Sequence, residues 1–392
     1  MVPMIKVLVV RMPTRKGMDA LDKSLKKSGA DAFVMIGSSD TADMRYLTRF
    51  ITTDPVIFIR KRGETGKIIV SQMEYERAAR ESAVPAITRA ESGLIRILET
   101  EPDRCRAMAR MIAEYAGGDI LVPPLFPYSL GIALAEHTRV VVDTGTVGTM
   151  RARKRQDELL CIQRVQQATE TAMELAIGLI RNSKPRKGIL FRGREPLTSE
   201  SVQLAIRDLL QQKGCFARDT IVSCGKDTAV PHVRGSGPLR ECEPIVIDIF
   251  PRDEKAGYYS DMTRTVSRGR PSLDISEMYD TVRDAQDHAA ASLKPGVSGS
   301  TIYQEAVDFF NDRGYQTGTE GFVHNLGHGV GLEVHELPVL GPGGGLLAPG
   351  HVVTIEPGLY YAMTGGVRIE NIGVITRAGF RCFTGSPREL VV

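Results

Sequence analysis

Four carboxylates in the C-terminal half stand at strand positions that otherwise favour apolar residues. Asp248 closes the run Ile245-Val-Ile-Asp248, and Asp261 lies in Gly257-Tyr-Tyr-Ser-Asp261-Met-Thr-Arg-Thr. Glu356 ends Val352-Val-Thr-Ile-Glu356, and Glu370 ends Gly366-Val-Arg-Ile-Glu370. An ionised carboxylate at the end of a buried strand costs several kcal/mol unless it is paired or coordinates a metal. One such acid taken alone is more often half of an ion pair. Four of them, with His328 between glycines in Gly327-His-Gly-Val-Gly331, point to cation binding, because two divalent ions would balance their formal charge of −4. A carboxylate-rich set with one imidazole suits Mn, Co or Fe better than a thiolate-type zinc centre. Two such ions roughly 3.5–4 Å apart can hold a bridging hydroxide and polarise a carbonyl, which equips a site for hydrolysis.

Other groups cluster nearby. Four of the seven histidines, His324, His328, His335 and His351, fall between Gly321 and His351. The glycines beside His328 would allow close backbone approach to a ligand or ion. His335 follows in Val334-His-Glu-Leu-Pro338. His324 reads equally as a partner of a ligand and as a packed or surface histidine. His137, His288 and His351 read as solvated or structural. Gly341-Pro-Gly-Gly-Gly345 is followed by no Lys-Ser/Thr pair, so it reads as a loop rather than a phosphate cradle.

Several elements must position these groups. Asp248 and Asp261 fall on two strand-like segments, 244–250 and 258–267, which could pair as a hairpin and bring both acids to one end. Arg368 and Glu370 are two apart on a presumed strand and so face the same side. Helical patterns cover Lys154 to Arg181, Thr198 to Gln212, Ile275 to Ser292 and Thr301 to Arg313, and the end from Val352 is strand-rich. This gives a mixed α+β domain over 151–392, with helices grouped apart from antiparallel strands. A smaller α/β domain over 1–150 precedes it, with the boundary near Met150. It carries a helical pattern from Gly17 to Ser28 and a strand from Asp31 to Ile36. A hairpin of Val56–Arg60 and Ile68–Ser71, a helix from Arg104 to Tyr115, and strands at Ile120–Val122 and Val140–Asp143 complete it.

Composition excludes several classes. The 392-residue chain is 42% hydrophobic and 25% charged, with a net charge of +3, too small to imply a polyanionic partner. It has no basic stripe with interleaved aromatics, which argues against nucleic acid. The six cysteines, Cys105, Cys161, Cys215, Cys224, Cys242 and Cys382, form no CxxC pair and fit a reducing cytoplasm. The apolar run Val7 to Val10 is cut by Arg11 and Pro13, too short for a secretory segment. No later run approaches the roughly 20 residues that span a bilayer, so no membrane role is expected.

Taken in order, these motifs resemble the pita-bread metallopeptidases, the family of methionine aminopeptidases, prolidases, aminopeptidase P and the metal-free creatinases. The likeness covers about residues 230–376, and Met44-Arg-Tyr-Leu-Thr-Arg-Phe50 resembles the creatinase/prolidase N-terminal domain. The resemblance implies a pita-bread fold behind a creatinase-like domain. It also implies a dinuclear site with Asp248, Asp261, His328, Glu356 and Glu370 as ligands, filled by Mn, Co, Fe or Zn, with Mn or Co favoured. By the same likeness Glu356 shuttles the proton of the attacking water, His335 contacts the scissile amide, and His232 assists the leaving side. Arg368 would meet a substrate carboxylate, and Tyr360 would line the pocket. The implied activity is removal of an N-terminal residue before proline in short Xaa-Pro peptides, as an Xaa-Pro dipeptidase or aminopeptidase, by a homodimer.

The chain also departs from the family. Asp248 and Asp261 differ by thirteen in numbering, a longer separation than is usual, and the small glycine common after the first acid is missing. This reads as a longer hairpin tip with the ligands intact; the alternative is that Asp253 replaces Asp248. Asn371 stands where an acid often follows the last ligand. Two rivals remain, a creatinase-like C–N hydrolase and a non-catalytic binding module. Both predict eroded ligands.

Overall fold

The computed structural model describes residues 18–392. The Val7–Val10 run lies outside the described residues. Contacts divide the chain into two compact units, meeting between Arg151 and Ala152.

The first unit is built on a six-stranded mixed sheet. Its order is Ala86–Thr88, Lys67–Val70, Val56–Lys61, Ala32–Gly37, Ile120–Val122, Val140–Val142. The three strands from Ala32 to Val70 form an antiparallel meander, and parallel strands flank it on both sides. The helix Arg104–Ala116 packs on this sheet through Ala107, Met111 and Ile112. Asp103 caps it by accepting from Arg106 N at 2.9 Å, and Gly117 ends it in a left-handed conformation. The amphipathic pattern near Gly17 is the helix Met18–Ser28. The helices Ala42–Thr48, Gln72–Glu81 and Tyr128–Ala135 have no counterpart in the sequence reading. The last, YSLGIALA, is apolar on every side and so gives no periodic signal.

The second unit is two layered halves. In one, the helices Gln156–Arg181 and Ser199–Gln212 cover the strands Ile221–Cys224, Ile245–Ile249 and Met262–Val266. In the other, the helices Leu273–Ser292 and Gly299–Asn311 cover strands that include Val352–Ile355, Gly358–Tyr361 and Gly365–Arg368. Every strand pair in this unit is antiparallel. The long helix begins at Gln156 rather than Lys154. Arg153 bridges to His351, and Lys154 Nζ pairs with Glu336 Oε1 at 2.5 Å, so both are drawn out of the helix.

Strand alternation turns the chemistry away from the helices. Ile245, Ile247 and Ile249 enter the helix-covered core, as do Met262 and Val266. With a period of two, Val246 and Asp248 face the other side, as do Thr263 and Thr265. Asp248 lies opposite Thr263 in the ladder, and Asp261 immediately precedes the second strand. The spacing of Arg368 and Glu370 predicts that they share one strand, and they do not. Arg368 ends Gly365–Arg368, while Glu370 stands just before Asn371–Thr376, which belongs to a different sheet.

Candidate active site

Asp248, Asp261, His328, Glu356 and Glu370 line one cavity of about 810 Å³. His232, His324, His335 and Arg368 line it as well. Asp253 does not. It is buried in the hairpin tip, where it accepts from Arg164 Nη2 at 3.0 Å and from Ala256 N. The longer separation between the two aspartates is therefore absorbed at the tip, and Asp253 does not take the place of Asp248.

The imidazole of His328 is oriented for coordination. Its Nδ1–H donates to Gly329 O at 3.1 Å, which leaves Nε2 facing Glu356 Oε1 at 3.2 Å and Asp261 Oδ2 at 3.7 Å. The backbone N–H of His328 donates to Thr354 Oγ1, whose hydroxyl in turn donates to Glu356 Oε1 at 3.3 Å. The flanking glycines answer a different need from the one anticipated. A Cβ on Gly327 would collide with Thr354 O, one on Gly329 with Leu337 O, and one on Gly331 with Glu336. They permit close approach of neighbouring chain segments rather than of a ligand.

On the far side, Thr263 Oγ1 donates to Glu370 Oε2 at 2.8 Å. Asp261, His328 and Glu370 each offer an atom within 4.8 Å of the other two, a spacing one cation can bridge. Asp248 Oδ1 and Glu370 Oε1 are buried without a hydrogen-bond partner. Orphaned carboxylate oxygens beside three further ligand-type side chains are the donor set that hard divalent cations need. The residues present fit such ions.

Electrostatics express the same demand. Burial, then the neighbouring carboxylates, push Asp261 and Glu370 well above the usual carboxylate range. Burial also raises Asp248, although Arg368 opposes it. Burial alone would raise Glu356 too, but the hydrogen bond and charge of His328 outweigh it and bring Glu356 down to about 2. Burial lowers His328, yet its contacts with Glu356 prevail and leave it raised. Four acids cannot all ionise in one buried space unless positive charge joins them.

Arg368 is 3% exposed and extensively engaged. Nη2 donates to Asp248 Oδ2 at 2.8 Å, Nη1 to Tyr360 OH and Pro231 O, and Nε to Thr263 Oγ1. Of its five N–H groups, a single one is left over after these bonds. Tyr360, 3% exposed, is also 2.9 Å from His324 Nε2. With Arg368 donating to it, the Tyr360 hydroxyl donates to His324, whose Nδ1–H donates to Asn325 O. His324 is thus held neutral, in line with the lowering caused first by its burial. His335 stands edge-on to His328, ring centres 4.2 Å apart, and its pKa is lowered by burial and then by His328. His232 is exposed at the rim.

Residues 160–377, more than half of the chain, match metallopeptidase family M24. The chain belongs to metallopeptidase family M24. Residues 18–113 of this M24 chain match the creatinase/prolidase N-terminal domain. An Xaa-Pro dipeptidase of Pyrococcus horikoshii is 30% identical over 341 residues, 85% of this chain and 88% of that one. An uncharacterized peptidase of Bacillus subtilis, YqhT, is 43% identical over 175 residues, 44% of this chain, and an Xaa-Pro dipeptidase of Lactobacillus delbrueckii is 33% identical over 248 residues, 63% of this chain. The M24 chain spans 48% and 63% of the lengths of these two. The solved prolidase of Pyrococcus horikoshii aligns with a TM-score of 0.79 at 26% identity, over 95% of this chain and 99% of that one. An Xaa-Pro dipeptidase of Bacillus anthracis shares the fold, with a TM-score of 0.81 at 24% identity, over 96% and 99% of the two chains.

Three further residues shape the M24 site without having been singled out from the sequence. Thr265 exchanges hydrogen bonds with the backbone of Arg368, in both directions. Thr263 holds both Glu370 and Arg368. Gln286, on the helix Leu273–Ser292, donates to Ile355 O and Ile369 O at 2.9 Å each, the residues before Glu356 and Glu370. The threonines stand two apart in Asp261-Met-Thr-Arg-Thr, a spacing that puts both on one face of a strand. Nothing local marks Gln286. His137 is exposed and His288 stacks on Phe309, while His351 is buried with Nδ1 accepting from Ala348 N–H.

Proposed function

We propose that the chain is a metal-dependent exopeptidase that cleaves the bond before proline in short Xaa-Pro peptides. The observation that carries this reading is the convergence of Asp248, Asp261, His328, Glu356 and Glu370 on one cavity, with buried oxygens of Asp248 and Glu370 lacking any protein partner. Relatives called Xaa-Pro dipeptidases support the proline preference. So does the wall formed by Ile221, Phe250, Val334, Leu337 and Val339, which suits an apolar ring.

The five residues would hold two divalent ions, with Mn or Co favoured by an oxygen-rich donor set. When bound, such ions supply a water of lowered pKa and polarise the scissile carbonyl. Glu356, kept ionised beside His328, takes up the proton of the attacking water and passes it toward the leaving imino nitrogen. His335 and His232 supply N–H groups toward the oxygen that gains charge in the transition state. Arg368 fixes Asp248 on the pocket wall and also holds Tyr360, which is buried and does not itself line the cavity. A creatinase-like hydrolase or a non-catalytic binding module would dispense with some of these ligands, and none of the five is eroded here.

The same reading assigns a homodimer, on family resemblance, and a cytoplasmic setting, which the six free cysteines suit. Among the described residues no helix is long and apolar enough to cross a membrane.

The test is hydrolysis of Xaa-Pro dipeptides and tripeptides by chelated protein, before and after adding Mn²⁺ or Co²⁺. Cleavage restored by metal and confined to bonds before proline is the expected result. Folded protein that cleaves nothing with either metal would sink the reading. Light scattering after size exclusion tests the dimer.

A further inference from the structure

A short peptide brings a second charge into this cavity, the free carboxylate at its C-terminus. An ionised carboxylate drawn out of water needs a cationic partner. Most of the charge on the cavity wall is negative, and two arginines line it, Arg368 and Arg234. Arg368 is already bonded to Asp248, Tyr360, Pro231 and Thr263.

Arg234 is in the opposite condition. Its side chain is 56% exposed, and its nearest acid, Asp219, is 62% exposed at 3.4 Å. Its Nη2 also donates to Arg218 O at 3.2 Å. A surface pair of this kind contributes little stability, so a substrate carboxylate can displace it. The backbone beneath Arg234 is fixed. Val222 N donates to Arg234 O at 2.9 Å, and Gln203 Nε2 donates to the same oxygen at 2.7 Å. Val222 follows Ile221, which lies opposite Asp248 in the ladder. Arg234 therefore stands two strand spacings from Asp248, about 10 Å at backbone level. A peptide advances at most about 3.3–3.6 Å per residue. A carboxylate one or two residues beyond the scissile bond then falls within reach of the guanidinium.

We propose that Arg234 is a specificity residue, which receives the free C-terminal carboxylate of short substrates and so favours di- and tripeptides over blocked or longer chains. This rests on the peptidase reading above. Asp219 holds the guanidinium in place until the substrate replaces it.

The experiment compares kcat/KM for Xaa-Pro peptides with free and amidated C-termini, using the metal-loaded wild type, Arg234→Gln, Arg234→Lys and Asp219→Asn. The wild type should prefer the free acid. Arg234→Gln should lower the free-acid to amide ratio by about tenfold to a hundredfold, mainly through KM. Arg234→Lys should recover part of it, and Asp219→Asn should lower KM for the free acid more than for the amide. An unchanged ratio in Arg234→Gln, with the wild type active on Xaa-Pro peptides, overturns the role of Arg234 and leaves the peptidase reading standing. A wild type that cleaves no Xaa-Pro peptide overturns both.

Discussion

Arg368 Nη2 donates to Asp248 Oδ2 at 2.8 Å, joining two residues 120 apart in sequence inside a site that otherwise collects negative charge. The pair is 4% and 12% exposed at the side chains, so it is a buried ion pair. Breaking a buried pair from one side typically costs about 3–5 kcal/mol, because the remaining charge is left uncompensated. Cations bound at Asp248 would take over part of that compensation. Arg368→Met should therefore lower the melting temperature most in chelated protein, with Mn²⁺ restoring part of the loss. It should also reduce turnover of free and amidated Xaa-Pro peptides by similar factors, unlike Arg234→Gln. Thermal denaturation with and without Mn²⁺ checks the first expectation, and selective loss on free acids would contradict the second.

Glu356 and Glu370 differ in a way that substitution can expose. Glu356 is kept ionised by His328, whereas Glu370 is pushed toward its protonated form by burial and by its acidic neighbours. Glu356→Gln should abolish measurable turnover, a loss of at least about 10³-fold, because on the proposed reading Glu356 is both a ligand and the proton carrier. Glu370→Gln removes a proposed ligand, and with it one of four crowded acids. It should raise the stability of chelated protein while weakening metal binding. Calorimetric metal titration and thermal denaturation of the two variants separate these effects, and Glu356→Gln retaining full turnover with metals bound would contradict the assignment.

Gln286 clamps the chain just before both of these glutamates, through Ile355 O and Ile369 O. Its own Oε1 accepts from Asn371 Nδ2 and Arg388 Nη1, so the amide is fully used. Gln286→Leu would leave two strand carbonyls without this donor and loosen the register of the ligands they precede. Metal affinity should fall about 10–100-fold, the range seen when residues supporting metal ligands are lost. Gln286→Glu, which keeps the shape but loses the donors, should behave similarly. Unaltered affinity in both variants would show that the clamp serves stability alone.

The four candidate acids stood out in the sequence because burial makes a carboxylate costly at strand-like positions that otherwise favour apolar residues. Asp248 after Ile245-Val-Ile is the clearest case. The two-layer plan of the second unit was legible from the helical periodicity of Gln156–Arg181 and Leu273–Ser292. What escaped depends on contacts between segments distant in sequence. Gln286 meets its carbonyl partners 69 and 83 residues away, and Arg368 meets Asp248 120 residues away. The resemblance implied that Arg368 meets a substrate carboxylate, and its four internal partners could not be read from the sequence. The role of the glycines around His328 was misread for the same reason, since the groups they admit come from segments about Thr354 and Glu336.

On the proposed reading, protons and cations would compete for the same oxygens in this site. Burial and mutual repulsion raise Asp248, Asp261 and Glu370, which favours their protonated forms in the ion-free site, and metal binding would oppose this. Metal affinity should therefore rise with pH, and binding should release protons near neutrality. Titrations of Mn²⁺ in buffers of different ionisation enthalpy measure that number directly. Binding with no proton release at pH 7 would mean that the four acids are already ionised without a metal.

His351 gives a pH dependence of stability outside the site. Burial, then the charges of Lys154 and Arg153, lower it to about 4 from an ordinary 6.5. Its Nδ1 accepts from Ala348 N–H at 3.2 Å, a bond that requires the neutral ring. The unfolded chain protonates this histidine near its ordinary value, while the folded chain resists until about 4. Between these limits the unfolded state binds more protons, so stability is lost as pH falls through that window and is fully present above it. With screening by nearby water allowed for, the loss amounts to roughly 1–2 kcal/mol. His351→Gln keeps an acceptor for Ala348 N–H and cannot be protonated. It should cost little at low pH and leave the variant relatively more stable at pH 4.5 than at pH 7.5, when each is compared with the wild type. Urea denaturation at the two pH values, wild type against variant, isolates this group because every other titration is common to both. A difference between the two proteins that does not change with pH would place the titration of His351 outside the stability of the fold.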